Sequence, residues 1–116
     1  MTTTDSDPKF AQIAATFGSL DDNDNYRLAY GKCTSPEQQH QLIQLRDAAR
    51  DAYFKAIADG LDADTPMVRE LTAQLTVTNN QITTMLKNLT DIVAFLKLTS
   101  DAIKLAASVV ALAAAA

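Results

Sequence analysis

Residues 66–113 read PMVRELTAQLTVTNNQITTMLKNLTDIVAFLKLTSDAIKLAASVVALA, and an apolar side chain returns at every seventh position from Val68. The series Val68, Leu75, Ile82, Leu89, Leu96, Ile103 and Val110 has no miss. Taken as position a of a heptad, it puts Leu71, Thr78, Met85, Ile92, Thr99 and Ala106 at position d. The charges of the segment are Arg69, Glu70, Lys87, Asp91, Lys97, Asp101 and Lys104. All fall at b, c or f, the side turned away from a coiled-coil seam. A register kept this long predicts one continuous amphipathic helix, about 70 Å from end to end at 1.5 Å per residue.

Two stretches compete with that continuity. Thr76 to Thr84 is rich in poor helix formers and carries no charge. Thr99-Ser100-Asp101 has the composition of a helix cap. Register and charge placement persist through both, which favours the unbroken reading.

The apolar stripe widens along the segment. Before residue 85 the flanking e and g positions hold Thr72, Gln74, Asn79 and Gln81; beyond it they hold Leu86, Val93, Phe95, Ala102, Ala107 and Val109. Leu98, Leu105 and Leu112 add a further apolar row, and Ala106, Ala107 and Ser108 leave room for a second helix to approach. A helix apolar around most of its circumference has to be surrounded.

Upstream, three prolines mark helix starts. Asp7-Pro8, Ser35-Pro36 and Thr65-Pro66 each pair a capping oxygen with Pro at the first helical position. Gln38 completes a capping box with Ser35, while Gly18 and Gly60 stand where helices begun at Pro8 and Pro36 would stop. The expected organisation is one all-α domain over 1–116. It has a disordered tail at 1–7, a helix over 8–17, a short helix near 23–32 and a helix over 36–59. The long helix over 66–113 completes it. The link from Gly60 to Thr65 is short, so helix 36–59 is expected to fold back antiparallel along residues 66 to about 90. Its face of Leu42, Leu45, Ala49, Ala52, Tyr53 and Ala56 supplies the contact. The stretch from Leu89 onward is then left to residues 1–34, with Phe10, Ile13, Phe17, Leu20, Tyr26, Leu28 and Tyr30, or to another molecule.

Composition bounds the function. The 116 residues carry 14 acids against 10 bases, for a net charge of −4, which disfavours a nucleic-acid partner. One cysteine cannot close an internal disulfide and suits a reducing compartment. The polar N-terminus has no basic start or apolar stretch of a secretory signal. Cytoplasmic residence is expected, with export lacking a cleaved leader as the alternative. The uncharged run from Leu105 to Ala116 is shorter than the about 20 residues a membrane-spanning helix needs.

Candidate sites read mostly as ordinary structure. Cys33 and His40 straddle a helix start with no context for nucleophilic catalysis. One His and one Cys do not make a structural zinc site. Asp21-Asp22-Asn23-Asp24-Asn25 lacks the Gly and Glu of a calcium loop and reads as a solvated, helix-capping turn. Arg46, Asp47, Arg50, Asp51 and Lys55 form a charged stripe, with Asp51 and Lys55 in favourable i,i+4 order. A solvated outer face is the simplest reading of that stripe, and a docking surface for a charged partner is the other. Met85 and Phe95 read as packing residues rather than part of a cofactor box. No catalytic, cofactor or metal residues are assigned.

The expected function is non-enzymatic helix–helix assembly, with a second copy of the chain or with a partner's helices. The apolar face of residues 85–112 would carry it through Leu86, Leu89, Ile92, Val93, Phe95, Leu96, Ile103, Val109 and Val110. The alternative is a membrane-active protein whose C-terminal helix inserts into the interface or joins a pore, with Lys97 and Lys104 on its polar side.

Overall fold

The computed structural model describes residues 7–114, which form five helices and no strand. They are α1 (Pro8–Asp21), α2 (Asn23–Lys32), α3 (Pro36–Asp59), α4 (Pro66–Leu86) and α5 (Ile92–Ala114). The expected tail lies outside the described residues except for Asp7, whose carboxylate caps α1 by accepting from Lys9 N–H at 2.9 Å. The other proline-marked starts are built alike. Ser35 Oγ accepts from Gln38 N–H at 3.2 Å and Thr65 Oγ1 from Val68 N–H at 3.1 Å. Gln38 Oε1 reaches back one residue further than a capping box requires, to Thr34 N–H at 2.6 Å. Gly60 ends α3 at φ 77°, a left-handed conformation that side chains with a Cβ resist. Gly18 does not end α1, which continues to Asp21 and buries Leu20.

The predicted continuous helix is two helices. The protein measures 44 × 22 × 21 Å, too short for a rod of about 70 Å. The chain reverses over residues 87–91, away from both stretches the sequence marks as weak. At the end of α4 the amides of Lys87 and Asn88 bond to the Thr84 and Met85 carbonyls, at 3.3 and 3.2 Å, tightening the last turn. Asp91 then starts α5 as its cap. Its carboxylate accepts from Ala94 N–H at 3.0 Å and its carbonyl from Phe95 N–H at 3.1 Å. Leu89, inside the turn, is buried and plugs the bend.

The Thr-rich stretch stays helical because its hydroxyls are absorbed locally. Thr72, Thr76, Thr78, Thr83 and Thr84 each donate to the carbonyl four residues back, at 2.8–3.1 Å. Thr99-Ser100-Asp101 starts no new helix; Asp101 pairs with Lys97 at 3.2 Å within a continuous α5.

Reversal lays α5 back along α4 and returns its end to the α3–α4 link, where Ala63 N–H donates to the Ala113 carbonyl at 3.0 Å. α5 packs against α4, α3 and α1; α1 packs against α3 and α4; α2 rests on α1 and α3. The expected antiparallel contact of α3 with α4 is therefore replaced. Leu42, Ala49, Ala52 and Ala56 are buried, and α3 lies mainly against α5 and α1. A helix as apolar as α5 buries most when three neighbours share it, and the reversal makes three available.

One polar cluster fixes α1 on α4. Asn79 is buried, its Nδ2 donates to the Gln12 carbonyl at 2.9 Å and to Gln12 Oε1 at 3.0 Å, and its Oδ1 lies 2.9 Å from the Thr16 hydroxyl. Thr99, buried in α5, has a hydroxyl without a hydrogen-bond partner among the described residues. An unpaired buried hydroxyl is destabilising, so Thr99→Val, which keeps the volume, is expected to raise stability by about 1 kcal/mol. Chemical denaturation checks this; a lower midpoint contradicts it.

Candidate functional site

The residues expected to bind a partner are mostly core. Leu89, Ile92, Phe95, Leu96, Ile103, Val109 and Val110 are all buried within the chain. Leu86 is half-buried, and only Val93, 63% exposed, stands in solvent. A straight helix would leave its distal half without neighbours; the reversal at 87–91 supplies them from α4, α3 and α1. For α5 to meet another helix or a bilayer by this stripe, the bundle would first have to open. Among the described residues, no helix is long and apolar enough to cross a membrane.

Cys33 sits half-buried at the end of α2, its thiol directed at the Ala29 carbonyl 3.4 Å away. Burial pushes the thiol above its ordinary value, the opposite of nucleophile activation. His40 is exposed. The acidic turn at 21–25 caps α2, with Asp22 Oδ1 accepting from Asn25 N–H at 3.0 Å. Among the described residues, no cluster of three or more His, Cys, Asp or Glu side chains suits a metal ion.

The surface that departs from an ordinary solvated exterior runs along α3, beside α1 and α2. The core stripe of α3 is Leu42, Ala49, Ala52 and Ala56. Ile43, Phe54 and Ile57 lie about a third of a turn away from it, at about 100° per residue. Phe54 is 56% exposed and Ile57 53%. Beside them Tyr53 stacks on Phe17 of α1 with ring centroids 5.0 Å apart, and it meets Phe10 at 5.4 Å. Phe54 contacts the same cluster, 5.5 Å from Tyr53 and 6.4 Å from Phe17. Phe10 is buried, Phe17 and Tyr53 are half-buried, and Phe54 is the ring of this cluster that faces water.

At the other end of the stripe the Arg46 guanidinium lies over the Tyr26 ring, 4.3 Å from its centroid, and Tyr26 packs on Tyr30 of the same helix at 5.9 Å. Arg50, between Arg46 and Phe54, pairs with Asp47 at 3.4 Å, both half exposed. The charged stripe, for which a solvated face and a docking surface are both expected readings, is thus divided. Arg46 and Arg50 belong to the aromatic side, whereas Lys55 pairs with Asp59 at 3.7 Å rather than with Asp51.

Sequence reasoning overlooked Phe54 and Ile57. The signal was a surplus: Ile43, Phe54 and Ile57 repeat at 11 and 3 residues, a helical face of their own that the core stripe does not use. Comparison of the chain with protein-family models, with curated proteins and with solved structures finds no match.

Proposed function

We propose that the protein is a non-enzymatic interaction module that binds a helix of a partner, a second copy or another protein, through the face of Ile43, Arg46, Arg50, Phe54 and Ile57. What carries the reading is the exposure of Phe54 and Ile57 beside a packed cluster of aromatic rings. Phe, Tyr and Arg gathered at one surface are the residue types that supply most binding energy at protein interfaces. In this reading the seven-residue apolar repeat of α4 and α5 serves the protein's own core, and recognition falls to α3.

A photo-crosslinking residue in place of Phe54, expressed in the cells that make the protein, tests this. One discrete adduct is expected, weakened at least about tenfold by Ile57→Asp, a loss within the range of a single interface anchor. The same group at the exposed Gln74 of α4 should give none. No adduct from position 54, or an equal one from position 74, contradicts the proposal.

A further inference from the structure

We infer that residues 87–91 are a hinge through which two copies of the chain exchange α5. The seven-residue series from Val68 to Val110 passes through the turn by way of Ile82, Leu89 and Leu96, and all seven members are buried. Two helices folded back on each other need no common register across the link that joins them. A straight helix does.

No residue of the turn enforces the reversal. Lys87-Asn88-Leu89-Thr90-Asp91 holds neither glycine nor proline. Among the described residues Gly60 is the one with positive φ, and Lys87 already has right-handed helical angles, φ −66° and ψ −26°. The amides of Leu89, Thr90 and Asp91 have no backbone partner among the described residues. Straightening gives them the carbonyls of Met85, Leu86 and Lys87, four residues back, and merges two helix ends that otherwise leave groups unpaired.

The occupant of the vacated cradle follows from what α5 already touches. It packs on α4, α3 and α1, and its Ala113 carbonyl accepts from Ala63 N–H at 3.0 Å. Straightening carries α5 away from all three, and the surface that matches its stripe is the same cradle on a second copy. Reciprocal exchange closes a two-fold dimer of two long antiparallel helices, with the two Leu89 side chains near the axis. Both cores are rebuilt from existing contacts, so the single-chain and exchanged forms differ mainly at the hinge. A chain folding alone folds back, because its own α5 is the nearest one. The α3 face takes no part in the exchange, and the dimer presents Phe54 and Ile57 twice, which strengthens binding to a partner with two sites.

Refolding from guanidinium at about 1 mM, followed by size separation and light scattering, tests this. A dimer that persists on dilution is expected, since α5 leaves the core only by unfolding. Chains with Cys33→Ala and a spin label at either Met67→Cys or Leu112→Cys are mixed before refolding, so that distances arise only between chains. The dimer should then show a component near 15–20 Å, about one helical turn plus the label arms. Thr90→Pro is expected to lower the dimer yield at least about tenfold, because proline interrupts a helix running through the hinge, whereas in the turn the Thr90 amide has no backbone partner to lose. Asp91→Ala removes a cap that only the folded-back form uses and should raise the yield. If either variant does not fold, the distance between labelled chains decides. Monomer alone after refolding, a dimer without the short distance, or an undiminished yield from Thr90→Pro overturns the inference.

Discussion

Leu96→Asp is expected to unfold the protein at room temperature and neutral pH, seen as loss of the cooperative thermal transition by circular dichroism. Leu96 is 3% exposed and faces the interior from α5. Truncating a buried leucine costs about 2–5 kcal/mol, and placing an unpaired carboxylate in the same site adds several more. A chain of this size has about 5–15 kcal/mol in all. Ile103→Asp should behave alike. Val93→Asp, on the same helix but 63% exposed, is expected to change stability by less than about 0.5 kcal/mol. Were the α5 stripe a seam between molecules, Leu96→Asp would give a folded protomer with an unchanged melt and only its assembly lost.

Asn79→Ala is expected to cost about 2–3 kcal/mol, measured by chemical denaturation. The asparagine amide is fully used, two donated bonds to Gln12 and one accepted from Thr16, across the contact between α1 and α4. Removing it takes both amide donors from Gln12 at a part-buried place, whereas Thr16 keeps the Gln12 carbonyl as an acceptor at 3.0 Å; the Gln12 penalty exceeds the net value of the bonds themselves. Combining Asn79→Leu with Thr16→Val removes both sides of one bond and should recover part of the loss. The difference between the double variant and the sum of the singles gives a coupling of about 0.5–3 kcal/mol. Strict additivity would mean that the cluster does not hold the two helices together.

Asn79 also shows where sequence and structure part. At a position flanking the seam an asparagine reads as the polar edge of an apolar stripe, and nothing local says that Gln12 and Thr16, more than sixty residues earlier, will meet it. Helix ends were legible where covalent geometry dictates them. Pro36 and Gly60 bracket α3, whose observed span of Pro36–Asp59 is the predicted one, and α2 occupies its expected residues. Gly18 misled because a glycine costs only about 1 kcal/mol within a helix, and burying Leu20 beyond it outweighs that.

The reversal at 87–91 was hidden for a different reason. Periodicity reports which side chains are buried, not which way the chain is heading. Leu89 keeps its seven-residue spacing and is buried from inside the turn, so the repeat passes through the bend without a flaw. The capping potential of Asp91 was the available signal, and the apolar residues on either side masked it. The same reversal buries Leu89, Ile92, Phe95, Leu96, Ile103, Val109 and Val110 inside the chain, while Val93 and Leu112 remain exposed on α5 and Phe54 and Ile57 on α3.

The distance between the start of α4 and the end of α5 tests that reversal most directly. With Cys33→Ala, spin labels placed at the exposed positions Met67→Cys and Leu112→Cys report it by dipolar electron resonance. The folded-back arrangement, in which Ala63 and Ala113 are hydrogen-bonded at 3.0 Å, predicts a narrow distribution. Its centre should lie near 15–20 Å once about one helical turn and the label arms are added. A distribution centred near 70 Å, the span of an unbroken helix at 1.5 Å per residue, would contradict it.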